Sequence, residues 1–152
     1  MQIDKIDRLI LGALQKNGRL QNNELAQLVG LSPSPCLRRV KLLEEAGIIQ
    51  KYVALVDAEK VGKGLTLFTR IWLIAQDDQT VNKFTEVIRD LPQVVECHLM
   101  AGDCDFLLRV VSADLDEYRK FQIEHLSRQN GVQSIKTEIP MQNIKLTTEL
   151  PL

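Results

Sequence analysis

The sequence lacks any long uninterrupted hydrophobic stretch. Its longest apolar run is residues 71–75, whereas a membrane-spanning helix requires about 18 consecutive apolar residues. The first eight residues carry charges of both signs, a pattern that does not predict a secretory signal. Three cysteines, an odd number at no metal-like spacing, do not predict a disulfide framework. We therefore expect a protein without a membrane partner that works in the reducing cytoplasm.

An excess of charge of one sign is also lacking. The 152 residues contain 19 Lys and Arg against 20 Asp and Glu, for a net charge of −1, and 45% of them are hydrophobic. This composition is typical of a globular chain that forms one domain or two small ones. The chain as a whole is not a polybasic nucleic-acid binder, so any contact with DNA must be local.

Motifs for catalysis or for metal binding are lacking as well. The sequence has no HxxxH, CxxC or GxSxG pattern and no phosphate-binding loop. Cys97 and His98 are adjacent in a predicted strand, so their side chains point to opposite faces. His125 lies far along the chain in a predicted helix. We interpret the histidines as surface or interface residues and expect no enzyme, no cofactor and no metal site.

Residues 1–56 are predicted to form a winged helix-turn-helix. Apolar side chains recur at helical spacing in a first helix, residues 22–29 form a second helix that Gly30 ends, and Ser32-Pro33 opens a third. The side chains of the third helix expected to face the core are Leu37, Val40 and Leu43. Residues 48–56 are β-branched and partly alternating, which predicts the strand of a wing. Residues 57–64 carry two glycines and four charges and are interpreted as a linker.

Residues 65–152 alternate between strand and helix patterns. The predicted strands are 65–75, 94–100, 105–111 and 132–139, with 142–148 as a further one, and the predicted helices are 80–91 and 114–128. The order βαββαβ predicts a ferredoxin-like domain with both helices on one face of an antiparallel sheet, and the whole chain an α+β fold. Phe68 or Trp72 would lie on the uncovered face. An open apolar face predicts a homodimer that packs sheet against sheet.

The third helix carries the candidate DNA-binding surface. Ser34, Arg38 and Lys41 lie at positions i, i+4 and i+7 and therefore share one stripe of the helix. Such a helix enters the major groove of double-stranded DNA with its N-terminal residues first. Further DNA contacts are expected at the helix starts, beside the stripe and on the wing, from Asn22, Asn23, Ser32, Pro35, Arg39 and Lys51.

Competing roles exist for several residues of this helix. Charged side chains at helical spacing are most often simply a solvated face. The alternative for Arg39 is an ion pair with Glu44, Glu45 or an acid of the first helix. Cys36 is interpreted as a small apolar core residue and not as a redox sensor.

A glycine and two aspartates form the turn between the second and third predicted strands, within the run LMAGDCDF of residues 99–106. Turn chemistry alone accounts for them, because glycine tolerates unusual backbone angles and aspartate bonds to its own backbone. A second interpretation is a pocket for a free amino acid. Its ammonium group needs a carboxylate or carbonyl, and its carboxylate needs backbone N–H groups. The residues alone favour the plain turn and leave the pocket open.

Several runs together resemble one known family. DRLIL at 7–11, LSPSPCL at 31–37, GIIQ at 47–50, ECHL at 96–99 and GDCDF at 102–106 are similar to the Lrp/AsnC family of transcription regulators. The resemblance implies an N-terminal domain that binds DNA as a dimer and an amino-acid-sensing βαββαβ (RAM-type) domain. It also implies that dimers assemble into octamers and that the effector site lies between dimers, at the 99–105 turn.

The resemblance also implies roles for the residues of that turn. Gly102 and Asp103, with Ala101 beside them, supply backbone contacts to the effector. Asp105 holds the ammonium group or supports the loop. Leu99 and Met100 line the side-chain pocket, and with Phe106 they favour leucine or methionine as the effector. The last predicted strand contributes Thr137 and Ile139 from a neighbouring subunit.

Two functions therefore remain at this point. The first is a sequence-specific transcriptional regulator, cytoplasmic and associated with the nucleoid, whose DNA binding or assembly responds to leucine or methionine. The second is an architectural protein that compacts DNA without an effector, in which the Gly-Asp turn serves as an assembly contact. Binding of a free amino acid distinguishes the two.

Overall fold

The computed structural model describes residues 2–152 of the chain as two compact units. The first unit runs to Leu55 and also takes in Ile144–Leu152, and the second is Val56–Asn143. The helices are α1 Lys5–Lys16, α2 Asn22–Val29, α3 Pro33–Glu45, α4 Asp78–Arg89 and α5 Leu115–His125, and the strands are β1 Leu65–Leu73, β2 Val94–Leu99, β3 Phe106–Ser112 and β4 Val132–Glu138. Within residues 2–152, no helix is both long and apolar enough to cross a bilayer.

The second helix of the first unit has its predicted bounds, and the third begins where the sequence predicts. Asp4 caps α1 by accepting the Asp7 N–H at 2.8 Å, and the Asp7 carboxylate accepts the Asp4 N–H at 3.1 Å. Gly30 ends α2 in the left-handed conformation, with φ of 71°. Pro33 occupies the first turn of α3, where a missing N–H has no cost. The buried residues that these helices share are Ile10, Leu11, Leu25, Ala26, Val29, Cys36 and Leu43.

Two predictions for this unit are wrong. Leu37 does not face the core, because its side chain is 44% exposed, and the fully buried Cys36 takes that place one position earlier. The core face of α3 is therefore Cys36, Val40 and Leu43, again at i, i+4 and i+7. Residues 48–56 form no strand but a bend followed by irregular chain. A strand needs a neighbour for its backbone hydrogen bonds, and the described chain offers none there.

The second unit confirms the predicted ferredoxin-like sheet. Its four strands are antiparallel in the order β2-β3-β1-β4. Along β1, alternate residues from Leu67 to Leu73 are buried under the helices. The core joins the sheet to both helices through residues such as Leu67, Ile71, Phe84, Leu108 and Phe121. Both helices therefore cover the same face of the sheet.

The opposite face of this sheet is uncovered in the single chain. Phe68 and Trp72 alternate with the buried residues of β1 and lie half-buried on this face, as predicted. Charged pairs surround them: Arg70 lies 3.1 Å from Glu138, and Arg109 lies 2.8 Å from Glu96. The open face thus combines apolar rings with paired charges.

The last segment of the chain differs from its prediction. Residues 142–148 form no strand, and Ile144–Leu152 belongs to the first unit and not to the predicted 65–152 domain. The Gln15 side-chain amide donates to the Leu150 carbonyl at 3.1 Å and accepts the Leu150 N–H at 2.6 Å. One glutamine thus satisfies both backbone groups of Leu150, as a neighbouring strand would.

Candidate DNA-binding and effector sites

The predicted DNA-binding stripe of α3 is exposed. Ser34, Arg38 and Lys41 are all classed as exposed, turned away from the buried Cys36 and Leu43. Ser32 and Pro35 are exposed at the start of the same helix. Ser32 is the residue that precedes the first turn, but its hydroxyl accepts no capping hydrogen bond. The hydroxyl is therefore available to a phosphate or a base edge.

Arg39 is engaged within its own unit and not with the exposed stripe. Its guanidinium lies 2.8 Å from the Asp4 carboxylate and 2.7 Å from that of Asp7. These pairs raise the pKa of Arg39, with the hydrogen bond to Asp7 as the largest cause. Asp7 is only 2% exposed, so Arg39 is the counter-charge of a buried carboxylate. Of the alternatives open in the sequence, the structure favours the ion pair with the first helix.

The remaining predicted DNA contacts divide into two groups. Asn22 uses its amide to bridge the starts of α2 and α3, since its Nδ2 donates to the Pro33 carbonyl at 2.8 Å. Asn23 and Lys51 are exposed and remain candidate contacts. Next to Lys51, the Tyr52 hydroxyl donates to Glu44 at 2.9 Å and fixes the segment after α3 against that helix. Burial and this hydrogen bond raise the pKa of Tyr52 to about 12.

The predicted effector turn is closed by backbone and carboxylate hydrogen bonds. The Met100 N–H donates to the Asp105 carbonyl at 2.9 Å, and the Asp105 N–H donates to the Ile71 carbonyl at 2.9 Å. The Asp105 carboxylate accepts the Leu73 N–H through Oδ2 and the Gln76 amide through Oδ1, each at 2.7 Å. Both oxygens therefore have donors inside the chain. This favours the loop-supporting role of Asp105 over contact with an ammonium group.

The outer part of the turn carries unpaired backbone donors. In the described chain, the N–H groups of Gly102, Asp103 and Cys104 donate no hydrogen bond to other residues. A Cβ added at Gly102 would meet no atom within 4 Å, so the space in front of the turn is open. The Asp103 carbonyl points elsewhere, because it accepts the Trp72 indole N–H at 2.7 Å. A cluster of free N–H groups of this kind suits a carboxylate.

Within a single chain, the other predicted effector residues do not all lie together around the turn. Ala101 lies exposed in the turn, next to Leu99 and Met100, which are 65% and 40% exposed. Thr137 pairs with Thr69 in the sheet register and hydrogen-bonds the Tyr118 hydroxyl at 2.6 Å, on the helix-covered face. Ile139 follows β4 and is half exposed. A single chain thus presents an open turn without an enclosing wall.

Sequence reasoning missed two residues that contact the turn, Trp72 and Gln76. Both lie about thirty positions before their partners in the turn. Trp72 is near the end of β1 and Gln76 follows that strand, and the pairing of Ile71 with Phe106 brings this end of β1 next to the turn. Spacing in the sequence carries no signal for such a contact. Among residues 2–152, no group of three His, Cys, Asp or Glu side chains is placed to hold a metal ion.

Comparisons with known proteins match both units. A model described as winged helix-turn-helix DNA-binding matches residues 3–50, and one described as Lrp/AsnC ligand binding domain matches residues 66–150. The leucine-responsive regulatory protein of Escherichia coli K12 is 40% identical over 148 residues, which are 97% of this chain and 90% of that protein.

Solved structures agree with this match. A transcriptional regulator of Neisseria meningitidis in complex with L-Met superposes with a TM-score of 0.94 at 40% identity, over 99% of this chain and 97% of that one. AsnC of Escherichia coli superposes with a TM-score of 0.89 at 28% identity, over 99% and 100% of the two chains.

A helix-turn-helix unit and a ligand-binding βαββαβ unit in one chain define a DNA-binding transcriptional regulator with an amino-acid ligand domain. The chain belongs to the Lrp/AsnC family of these regulators. Its relatives are regulators of transcription and not enzymes. The two domains accordingly support DNA and an amino acid as partners.

Proposed function

We propose that this protein is a cytoplasmic, nucleoid-associated regulator whose DNA binding or assembly responds to free L-methionine or L-leucine. DNA is contacted by Ser34, Arg38 and Lys41 of α3, and the effector is held at the 99–105 turn. The observation that carries the proposal is the set of unpaired N–H groups at 102–104, which lie on a turn that the chain itself keeps in place. A preformed cluster of donors binds a carboxylate without a further ordering cost.

The choice between amino acids rests on the side chains beside these donors. Leu99 and Met100 are exposed large apolar groups next to the turn, and burying them against an apolar effector side chain is favourable. The side chain of such a ligand is apolar and needs no cation or carboxylate of its own. A solved relative at 40% identity was crystallised with L-Met, which supports methionine as the first candidate.

The assembly follows from two incomplete surfaces. The open sheet face with Phe68 and Trp72 is completed by a second copy, which gives a homodimer packed sheet against sheet. The effector turn is open to solvent in one chain. Ile139 of a neighbouring copy, which is half exposed, supplies the missing wall, whereas Thr137 is engaged with Tyr118 of its own chain. We propose that dimers assemble to an octamer through this second contact.

A thermal-shift panel of the twenty amino acids on the purified protein tests the effector. A ligand at 100 times its dissociation constant adds about 2.7 kcal/mol of stability, or roughly 5 to 10 °C in a chain of this size. We expect a selective shift with methionine or leucine. Gly102→Ala should remove this shift, because its Cβ would enter the open space in front of the N–H groups. Gly12→Ala in α1, where an added Cβ likewise meets no atom within 4 Å, is the matched control and should keep it.

The alternative is an architectural DNA-compacting protein with no effector. The closed hydrogen bonding of Asp105 favours it in one respect, because the turn is ordered without any ligand. If none of the twenty amino acids raises the melting temperature of the wild-type protein, and the protein still binds DNA, this alternative would be favoured. A selective shift with a polar amino acid would retain the sensor and discard the apolar pocket.

A further inference from the structure

The single tryptophan of the chain lies where the open sheet face meets the effector turn. Trp72 is near the end of β1 and alternates with the buried Ile71 and Leu73, so its ring is on the face that the helices do not cover. It pairs with Ser134 in the β4 register, and its side chain is half-buried. The ring is therefore not a member of the core of its unit.

The Trp72 indole makes one polar contact, and this contact reaches the outer part of the turn. Its N–H donates to the Asp103 carbonyl at 2.7 Å. The other bonds from β1, through Ile71 and Leu73, hold only Asp105 at the inner end of the turn. Of these bonds, only that of the indole fixes the peptide group between Asp103 and Cys104.

The orientation of that peptide group decides where a donor points. A trans peptide is planar, and its C=O and N–H point in opposite directions. With the Asp103 carbonyl directed at the indole, the Cys104 N–H is directed away from Trp72 and is left without a partner in the described residues. If the carbonyl were released, rotation of the peptide plane would scatter the donors that an effector carboxylate requires.

We propose that Trp72 is the positioning residue of the effector turn. Its indole N–H holds the Asp103 carbonyl and thereby keeps the N–H groups of 102–104 arranged for an amino-acid carboxylate. This inference rests on the proposed amino-acid site. An amino acid bound at the turn therefore also changes the surroundings of the Trp72 ring on the open sheet face.

The test compares Trp72→Phe with Phe68→Leu. Trp72→Phe keeps an aromatic ring on the open face and removes only the donor, whereas Phe68 lies on the same face and pairs with Arg109 and Glu138, away from the turn. Calorimetric titration with L-methionine should show affinity about three- to tenfold weaker in Trp72→Phe, as expected for one lost neutral hydrogen bond. Phe68→Leu alters the same proposed dimer face without touching the turn, so any loss of methionine affinity in it measures the effect of the face alone, and the loss in Trp72→Phe should be larger.

Two further readouts separate positioning from a general loss of stability. Hydrogen exchange of the backbone at 101–104 should be faster in Trp72→Phe and unchanged in Phe68→Leu. The wild-type protein has one indole N–H resonance, and methionine should shift it. This last measurement needs no variant, and an indole resonance that methionine leaves unmoved contradicts the inference even if Trp72→Phe fails to fold.

The outcomes distinguish this inference from the function on which it rests. Wild-type protein that binds none of the twenty amino acids overturns both. Wild-type protein that binds methionine, with equal affinity in Trp72→Phe, overturns the role of Trp72 alone. Weaker binding with unchanged exchange at 101–104, or an indole resonance that methionine does not move, also overturns it.

Discussion

Two adjacent arginines of α3 have opposite surroundings. Arg38 is exposed on the stripe with Ser34 and Lys41, while Arg39 is held by Asp4 and Asp7. A helix turns by about 100° per residue, so consecutive side chains of the same type face different neighbours. Arg38 is therefore free to meet DNA, and Arg39 joins α3 to the start of α1.

Arg38→Ala should weaken binding to a preferred DNA duplex by about 1–3 kcal/mol if the guanidinium contacts a base edge. The preference for that duplex over random DNA should decrease by the same amount. Fluorescence anisotropy with a duplex selected from a random pool, at fixed salt, measures both quantities. An equal loss on selected and random DNA would reduce Arg38 to a phosphate contact.

Arg39→Ala should act on stability instead. It leaves the buried Asp7 carboxylate without its counter-charge, so the free energy of unfolding should fall, and by more than in Arg38→Ala. Urea denaturation measures this change, and Arg38→Ala, with its exposed side chain, is the matched control and should stay within about 0.5 kcal/mol of wild type. Equal stability of the two variants would show that the ion pair contributes nothing.

At the scale of the element, the start of α5 is the best-defined terminus of the second unit. Asp114 caps the helix by accepting the Glu117 N–H at 2.8 Å, as the Asp114-x-x-Glu117 pattern predicts. Glu117 in turn accepts the Ala113 N–H, the Ser112 hydroxyl and the Lys63 ammonium. These donors, the Ala113 N–H first among them, lower the pKa of Glu117 to about 2.

Glu117→Gln should therefore change the response to acid. The folded pKa lies below the unfolded value of about 4.3, so the stabilising contribution is complete above that pH and disappears as the pH falls toward 2. Glu117→Gln should be less stable at pH 7, and its stability should depend less on pH between 5 and 2. Urea denaturation at a series of pH values measures this, with Glu86→Gln of α4 as the control. Parallel curves for Glu117→Gln and the wild type would contradict the assignment.

The sequence predicts those features that depend on residues close together in the chain. It does not predict features that depend on contacts between residues far apart in the chain. The helix termini at Gly30 and Asp114 depend on residues within three positions of the helix ends, and the sequence predicts both. The strand predicted at 48–56 fails because strand formation depends on a partner and not on β-branched residues alone. The turn at 99–105 was located correctly, but its contact with Trp72 depends on a sheet register that local patterns do not contain.

At the scale of the whole molecule, contacts between residues far apart in the sequence determine which unit residues 144–152 belong to. The sequence predicts a strand of the second unit at 142–148, yet the chain forms none there, and Gln15 of α1 binds the backbone of Leu150. Leu150 and Leu152 also line a cavity of about 530 Å³ with α1 residues such as Leu11 and Leu14. The segment therefore forms part of the first unit.

Gln15→Ala should loosen this segment. It removes two hydrogen bonds to Leu150, each worth about 0.5–1.5 kcal/mol, so amide exchange over 144–152 should become faster. Hydrogen-exchange mass spectrometry of a peptide covering these residues measures the effect, and Lys16→Ala, exposed on the same helix, is the control. Unchanged exchange in Gln15→Ala would mean that the leucine side chains alone hold the segment.

The path of the chain has a consequence for any shortened form of the protein. The chain leaves the DNA-binding unit after Leu55 and re-enters it at Ile144, so the residues of the ligand-binding unit are inserted into the sequence of the other unit. A truncation after residue 143 would therefore remove a part of the DNA-binding unit, although it is made at the other end of the sequence.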